Sequence, residues 1–207
     1  MEDVLEVYQR PYMSEYPVIC LDETNRQLIE ETRPSLPAKP GESKKVDFEY
    51  RRNGVIDFFM MFEPLTGQRH VEVRTSRKRI DFAYCIKMLV DVYYSDCKKI
   101  ILVMDNLNTH SIASLYETFS PDEALRLAKK IEIHHTPKHG SWLNMAEIEI
   151  GVMSRQCLKG YLSNIETASR KVSAWCEDRN RKNLSVNWQF TTSEARIKLK
   201  SLYPVIQ

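Results

Sequence analysis

The chain has 207 residues, 43% of them apolar and 28% charged, and a formal net charge of +2. A chain of this length buries roughly 70% of the surface its unfolded form exposes, so one domain without disulfide staples is expected. The composition excludes a collagen, a coiled-coil rod and a wholly disordered chain. No run approaches the roughly 18 apolar residues of a membrane span, and the acidic start Met1-Glu2-Asp3-Val4-Leu5 has no basic flank before an apolar run. Neither a membrane segment nor a secretory signal is expected, and the cytoplasm is the default compartment. Five scattered cysteines (Cys20, Cys85, Cys97, Cys157, Cys176) form no C-x-x-C pair and read as buried reduced thiols. Charge is uneven: residues 1–150 hold 20 Lys and Arg against 24 Asp and Glu, whereas residues 151–207 hold 10 against 4. A basic tail on a near-neutral body suits a polyanionic partner, although a solvated helix face gives the same count.

In chain order, residues 1–10 predict a helical turn or two, stopped by Pro11. Tyr16 to Leu21 predicts a short buried strand ending at Asp22-Glu23-Thr24. The stretch 33–45, with Pro34, Pro37, Pro40 and Gly41, predicts a long loop. Gly54 to Phe62 and Arg69 to Arg74 predict a hairpin turning at Pro64-Leu65-Thr66-Gly67. Arg77 to Tyr94 carries apolar residues at helical spacing (Phe82, Cys85, Ile86, Leu89, Val90, Tyr93). Lys99 to Met104 is the clearest buried strand. Leu115 to Lys130 predicts helix with a restart at Ser120-Pro121, the serine as cap. Ile131 to His135 predicts a strand and Thr136 to Gly140 a loop. A helix capped by Ser141 is expected to run to about Leu158, another from about Ile165 to Lys182, and a last one from Ser193 to Leu202. A hairpin early and helical crossovers later predict an α/β fold: a mixed sheet with helices packed on it.

Three carboxylates stand out. Asp22 and Asp105 each follow an apolar strand, and ligands in open α/β sheets bind beyond the carboxyl ends of strands. Glu147 lies about one and a half turns into the helix expected from Ser141. Such acids suit hard divalent cations, and two magnesium ions about 4 Å apart can clamp an in-line phosphoryl displacement. An aspartate after a strand is also a common turn former or cap. Glu149 competes with Glu147, and since the two lie about 200° apart around a helix they cannot both face the sheet. Spacing alone leaves that choice open.

Val18-Ile19-Cys20-Leu21-Asp22-Glu23-Thr24, Leu102-Val103-Met104-Asp105-Asn106-Leu107-Asn108-Thr109-His110, and the run from Thr136 to Glu147 resemble the three acidic blocks of the IS630-family transposases, relatives of the Tc1/mariner enzymes. Asn187 to Leu199 is similar to their C-terminal signature. The resemblance covers nearly the whole chain. It implies a DDE catalytic domain with an RNase H-like fold, whose five-stranded mixed sheet carries helices on both faces. The core would span about 14–160 and a helical part about 161–207. It also implies metal-dependent cleavage of DNA at transposon ends and joining of the freed 3′-hydroxyl to target DNA. Asp22, Asp105 and Glu147 would be the catalytic acids holding two Mg²⁺, with Mn²⁺ as a substitute, and the third block ends on Glu147 rather than Glu149.

Full-length members begin with helix-turn-helix modules, for which the 21 residues before Asp22 leave no room. A fragment, one half of a split reading frame or a repurposed copy are the alternatives. DNA is the expected partner, with a homodimer and a separate upstream helix-turn-helix polypeptide as further candidates. The 41 residues between Asp105 and Glu147 form a long gap, which residues 115–130 absorb as extra helix.

Lys138, His139, Trp142, Arg77 and Lys78 are candidate DNA contacts, with Trp142 able to stack on a base or, alternatively, to pin its helix to the sheet. Lys44, Lys45, Arg51, Arg52, Arg74 and Arg79 are further basic candidates. His110 is a candidate to orient Asp105 or a phosphate. Pro137 between His135 and His139 argues against a helical zinc pair. With six glycines and no Gly-rich phosphate loop, a nucleotide-cofactor enzyme is not expected. The competing functions are a non-catalytic DNA-binding or oligomerisation remnant and a structure-selective nuclease of the same fold.

Overall fold

The computed structural model describes residues 1–33, 36–43, 49–107, 109–138 and 140–203. Pro34, Lys44, Lys45 and His139 lie outside the described residues. Five strands form one sheet: β1 (Val18–Glu31), β2 (Tyr50–Glu63), β3 (Gln68–Arg74), β4 (Ile100–Met104) and β5 (Ile131–His135). Their order across the sheet is β3-β2-β1-β4-β5. The first three strands are antiparallel to one another, and β4 and β5 run parallel to β1, which gives the expected mixed sheet.

Helices cover both faces, as expected. Alternation along the strands sorts the core into two layers. Cys20, Ile101 and Val103 face one layer, completed by α1 (Glu2–Tyr8), α5 (Met145–Gln156), α6 (Ile165–Arg181) and α7 (Thr192–Lys198). Ile19, Leu21, Ile100, Leu102 and Met104 face the other, completed by α2 (Arg79–Met88), α3 (Ala113–Thr118) and α4 (Pro121–Lys129). All of β4 is buried, which is why it reads as an unbroken apolar run. Ser120 caps α4 as expected, accepting from Glu123 N with Pro121 at the first helical position. The break at Ser120 splits the 115–130 segment into α3 and α4, so it does supply the extra helix between β4 and β5.

Three boundaries differ from the sequence reading. β1 does not end at Asp22 but continues to Glu31, because β2 keeps pairing with it after β4 has stopped. The helix expected over Arg77–Tyr94 ends as a wider π turn at Leu89–Tyr93, with Tyr94 N donating to Leu89 O. Ser141 does not cap α5: Ser141–Leu143 form a 3₁₀ turn and Asn144 is the cap, its side chain accepting from Ala146 N. All five cysteines are free and four are buried, with Cys157 partly so.

Candidate active site

β1 and β4 are neighbours and parallel, with Cys20 opposite Val103. Two residues further along each strand this register brings Asp22 beside Asp105. Both continue the alternation of Cys20 and Val103, so both fall on the sheet face that α5 covers. Each is held through one oxygen. Asp22 Oδ1 accepts from Glu23 N at 2.8 Å. Asp105 Oδ1 accepts from Leu107 N at 3.4 Å and lies 2.6 Å from His110 Nδ1.

Asn144 brings the third acid in. Its side-chain Nδ2 donates to Leu21 O at 2.8 Å, tying the start of α5 to β1 one residue before Asp22. Glu147 therefore sits in the first turn of α5, not one and a half turns in, and is solvent-exposed. Asn144 escaped the sequence reading, although Asn-x-x-Glu ahead of a helix is a capping signature. Glu149 points the other way. It is 1% exposed and lies between Arg69 Nε at 3.1 Å and Arg179 Nη2 at 2.9 Å. The competition left open by spacing is resolved by these partners: Glu149 is a core ion-pair member.

The carboxylates sense one another. Burial, reinforced by the charges of Glu23, Asp105 and Glu147, raises the Asp22 carboxyl to about 7. Burial alone would lower His110, but its contacts with Asp105 and Glu23 prevail and raise it to about 9. Glu23 lies 3.0 Å from His110 Nε2 on the opposite side of the ring from Asp105. The sequence reading missed Glu23 and anticipated His110 as an orienting group.

Among the described residues, no three His, Cys, Asp or Glu side chains gather tightly enough to hold a metal ion as they stand. The donor chemistry nevertheless fits a hard divalent cation: carboxylate oxygens from two adjacent strands and a nearby helix, close enough for Asp105 and Glu147 to act on Asp22. His134 and His135 have other partners. His134 bridges Asp3 and Glu132, and His135 Nδ1 lies 3.1 Å from Asp105 O.

A groove of about 490 Å³ opens at Asp105, lined by Asn106, Leu107, Thr136, Pro137, Lys138 and Ser141. Its wall folds over the end of β4, with Thr136 N donating to Met104 O at 2.9 Å. Gly140 is required there, since a Cβ would meet the Pro137 ring at 2.6 Å. Lys138 is exposed in this groove, beside Asp105. Trp142 follows it and is 43% exposed, so the pinning alternative does not hold. Its ring stacks on Trp188 (6.3 Å, 23°) and lies 6.1 Å from Phe190, both from the tail segment that matched the C-terminal signature. Arg77 and Lys78 are exposed just before α2 and do not line the groove, although the Arg77 charge reaches Asp57. Arg51 and Arg52 are exposed where β2 runs on past β3, paired there with Glu30 and Ile29 of β1. Part of the basic tail is paired internally, as in Arg196 with Glu2 and Lys182 with Asp178.

The layered mixed sheet, with one aspartate on β1, another just past the end of β4 and a glutamate on a covering helix, defines a class of RNase H-like domains. Several solved structures share the fold. The crystal structure of the Mos1 mariner paired end complex with Mn matches with a TM-score of 0.57 and 11% identity, covering 87% of this chain and 54% of that one. The Mos1 strand transfer complex matches with a TM-score of 0.55, again at 11% identity and with the same coverage. The chain thus spans about half the length of these proteins. No curated protein matches it. The family of DDE superfamily endonucleases matches residues 17–169. The chain belongs to this family, with the fold of the mariner-type transposase catalytic domain.

Proposed function

We propose that this chain is the catalytic domain of an IS630-type DNA transposase, which cuts DNA at transposon ends and joins the freed 3′-hydroxyl to target DNA. The observation that carries the reading is the register of β1 and β4, which sets Asp22 beside Asp105 under the helix that bears Glu147. These three acids would hold the divalent cations, two Mg²⁺ with Mn²⁺ as a substitute. When bound, such ions activate the attacking oxygen and stabilise the leaving one. Lys138 lies where a DNA phosphate entering the groove at Asp105 would pass, and the outer face of Trp142 offers a stacking surface for a base or sugar. His139, by its place in the sequence, and Arg77 and Lys78, by their exposure, extend the DNA contacts.

Residues about 14–160 form the catalytic core in this reading, and 161–207 its helical extension. Recognition of the transposon ends falls to helix-turn-helix modules, and the working unit is a homodimer in the cytoplasm. No helix among the described residues is long and apolar enough to cross a membrane.

The test is cleavage of a duplex carrying candidate transposon ends, in Mg²⁺ or Mn²⁺, by wild type and by Asp105→Asn. Wild type is expected to release strands with 3′-hydroxyl ends and to produce joined strands, and the variant to do neither. Equal cleavage by both refutes the assignment of the acids. Cleavage that never yields joined strands favours the nuclease reading over the transposase.

A further inference from the structure

Glu23 touches one aspartate of the proposed metal site directly and reaches the other through His110. Its backbone N–H holds Asp22 Oδ1 at 2.8 Å. Its side chain crosses to the opposite face of the sheet, where it lies 3.0 Å from His110 Nε2, while His110 Nδ1 lies 2.6 Å from Asp105 Oδ1. The His110 and Glu23 side chains are 1% and 4% exposed, so both are shut off from solvent.

The imidazole has little freedom. Its face stacks on Phe82 with ring centres 4.9 Å apart. Its backbone N donates to Leu107 O at 2.9 Å, and the next turn is locked by Ser114 Oγ donating to Thr109 O at 2.8 Å. Both partners of the Asp105 carboxylate fall on Oδ1. Among the described residues Oδ2 has no hydrogen-bond partner. A carboxylate held by one oxygen on a rigid ring presents the other in a fixed direction. An imidazole whose far nitrogen is itself anchored cannot swing away from that task.

We infer that Glu23 and His110 are positioning residues, a buried relay that fixes the Asp105 carboxylate so that Oδ2 is the oxygen offered to the cation or substrate. The inference rests on the proposed metal-holding role of Asp105. Neither Glu23 nor His110 would touch the cation, and their effect passes through Asp105 alone.

The two ring nitrogens allow a test that a merely structural role would not satisfy. In His110→Asn the side-chain amide falls near the former Nδ1 and can still donate to Asp105. In His110→Gln the amide reaches the former Nε2 and meets Glu23 instead. Mn²⁺ uptake by the full chain is read from the loss of the free-ion EPR signal, with and without duplex DNA.

His110→Ala and His110→Gln are expected to weaken Mn²⁺ binding about tenfold or more, the usual effect of losing an outer partner of a ligand. His110→Asn should stay within a few-fold of wild type. Equal affinity of wild type and His110→Ala, or equal loss in the Asn and Gln variants, overturns the inference while leaving the metal site standing. Absence of Mn²⁺ uptake by wild type under both conditions overturns the metal reading and this inference with it. If the His110 variants do not fold, Glu23→Leu carries the test: it removes the anchor of Nε2 and leaves the ring, and unchanged Mn²⁺ affinity in that variant refutes the relay.

Discussion

Two glutamates two residues apart on α5 should respond to mutation in opposite ways. Glu149 is 1% exposed and bridges Arg69, itself fully buried, and Arg179. Glu149→Ala leaves the Arg69 guanidinium with neutral partners only: Asn180 Oδ1 at 3.3 Å, Leu184 O at 2.8 Å and the faces of Phe62 and Trp175. Removing one member of a buried pair typically costs roughly 3–5 kcal/mol, because the other charge stays desolvated. For a chain of this size each kcal/mol moves the unfolding midpoint by about 2–4 °C, so a fall of roughly 6–20 °C is expected. Glu147→Gln changes an exposed side chain and should alter stability by no more than about 0.5 kcal/mol. Its sign should be favourable, since it removes one of the charges that repel Asp22. Urea denaturation with a circular-dichroism readout measures both, and Arg69→Met combined with Glu149→Leu should recover much of the loss. A cost below about 1 kcal/mol for Glu149→Ala, the size of a surface pair, would refute the core assignment of Glu149.

The pH dependence follows from Asp22. A carboxyl pushed up to about 7 by burial, against about 3.9 for an ordinary aspartate, binds its proton more tightly in the folded chain, so stability falls as pH rises through that window. Asp22→Asn removes the penalty. The variant should match wild type near pH 4 and exceed it at pH 8 by up to a few kcal/mol, at about 1.4 kcal/mol per pKa unit. Urea midpoints at both pH values check this, and the same difference at both would contradict it. Lys138→Ala should reduce the slope of log affinity for duplex DNA against log salt by about 0.9 if the lysine meets one phosphate, as filter binding at several salt concentrations would read. Trp142→Ala should weaken binding of single-stranded DNA by roughly 1–3 kcal/mol, and Trp142→Phe by less. Fluorescence anisotropy of a labelled oligonucleotide distinguishes them, and equal affinity of Trp142→Ala and wild type would exclude stacking.

Elements that bury both faces were legible in the sequence. Ile100–Met104 is apolar throughout because it lies between β1 and β5 with helices above and below. The hairpin was legible from its turn and its alternation. The length of β1 was not. From Asp22 to Gln27 the residues are polar or charged, and only pairing with Val55 to Met60 of β2 keeps them extended. That register is set by distant residues, and local propensity does not carry it. The assignment of Glu149 was hidden for a related reason, since both its partners, Arg69 and Arg179, belong to other elements.

The strand period also bears on the site. Because successive side chains on β1 point to opposite faces, Asp22 and Glu23 cannot serve the same surface. Asp22 joins Asp105 under α5, while Glu23 passes to the α2 side and meets His110. His110 is on the Asp105 loop, and its other nitrogen returns to Asp105. The adjacent acids thus reach the same pair of strands from both sides of the sheet. Moving the register of β1 by one residue would exchange their faces, setting the longer glutamate toward α5 and the aspartate, too short to span the same gap, toward His110. The Asp-Glu order at the middle of β1 is therefore tied to the geometry of the site as firmly as Asp105 is, and an Asp22→Glu, Glu23→Asp double exchange should lose Mn²⁺ uptake although composition and charge are unchanged.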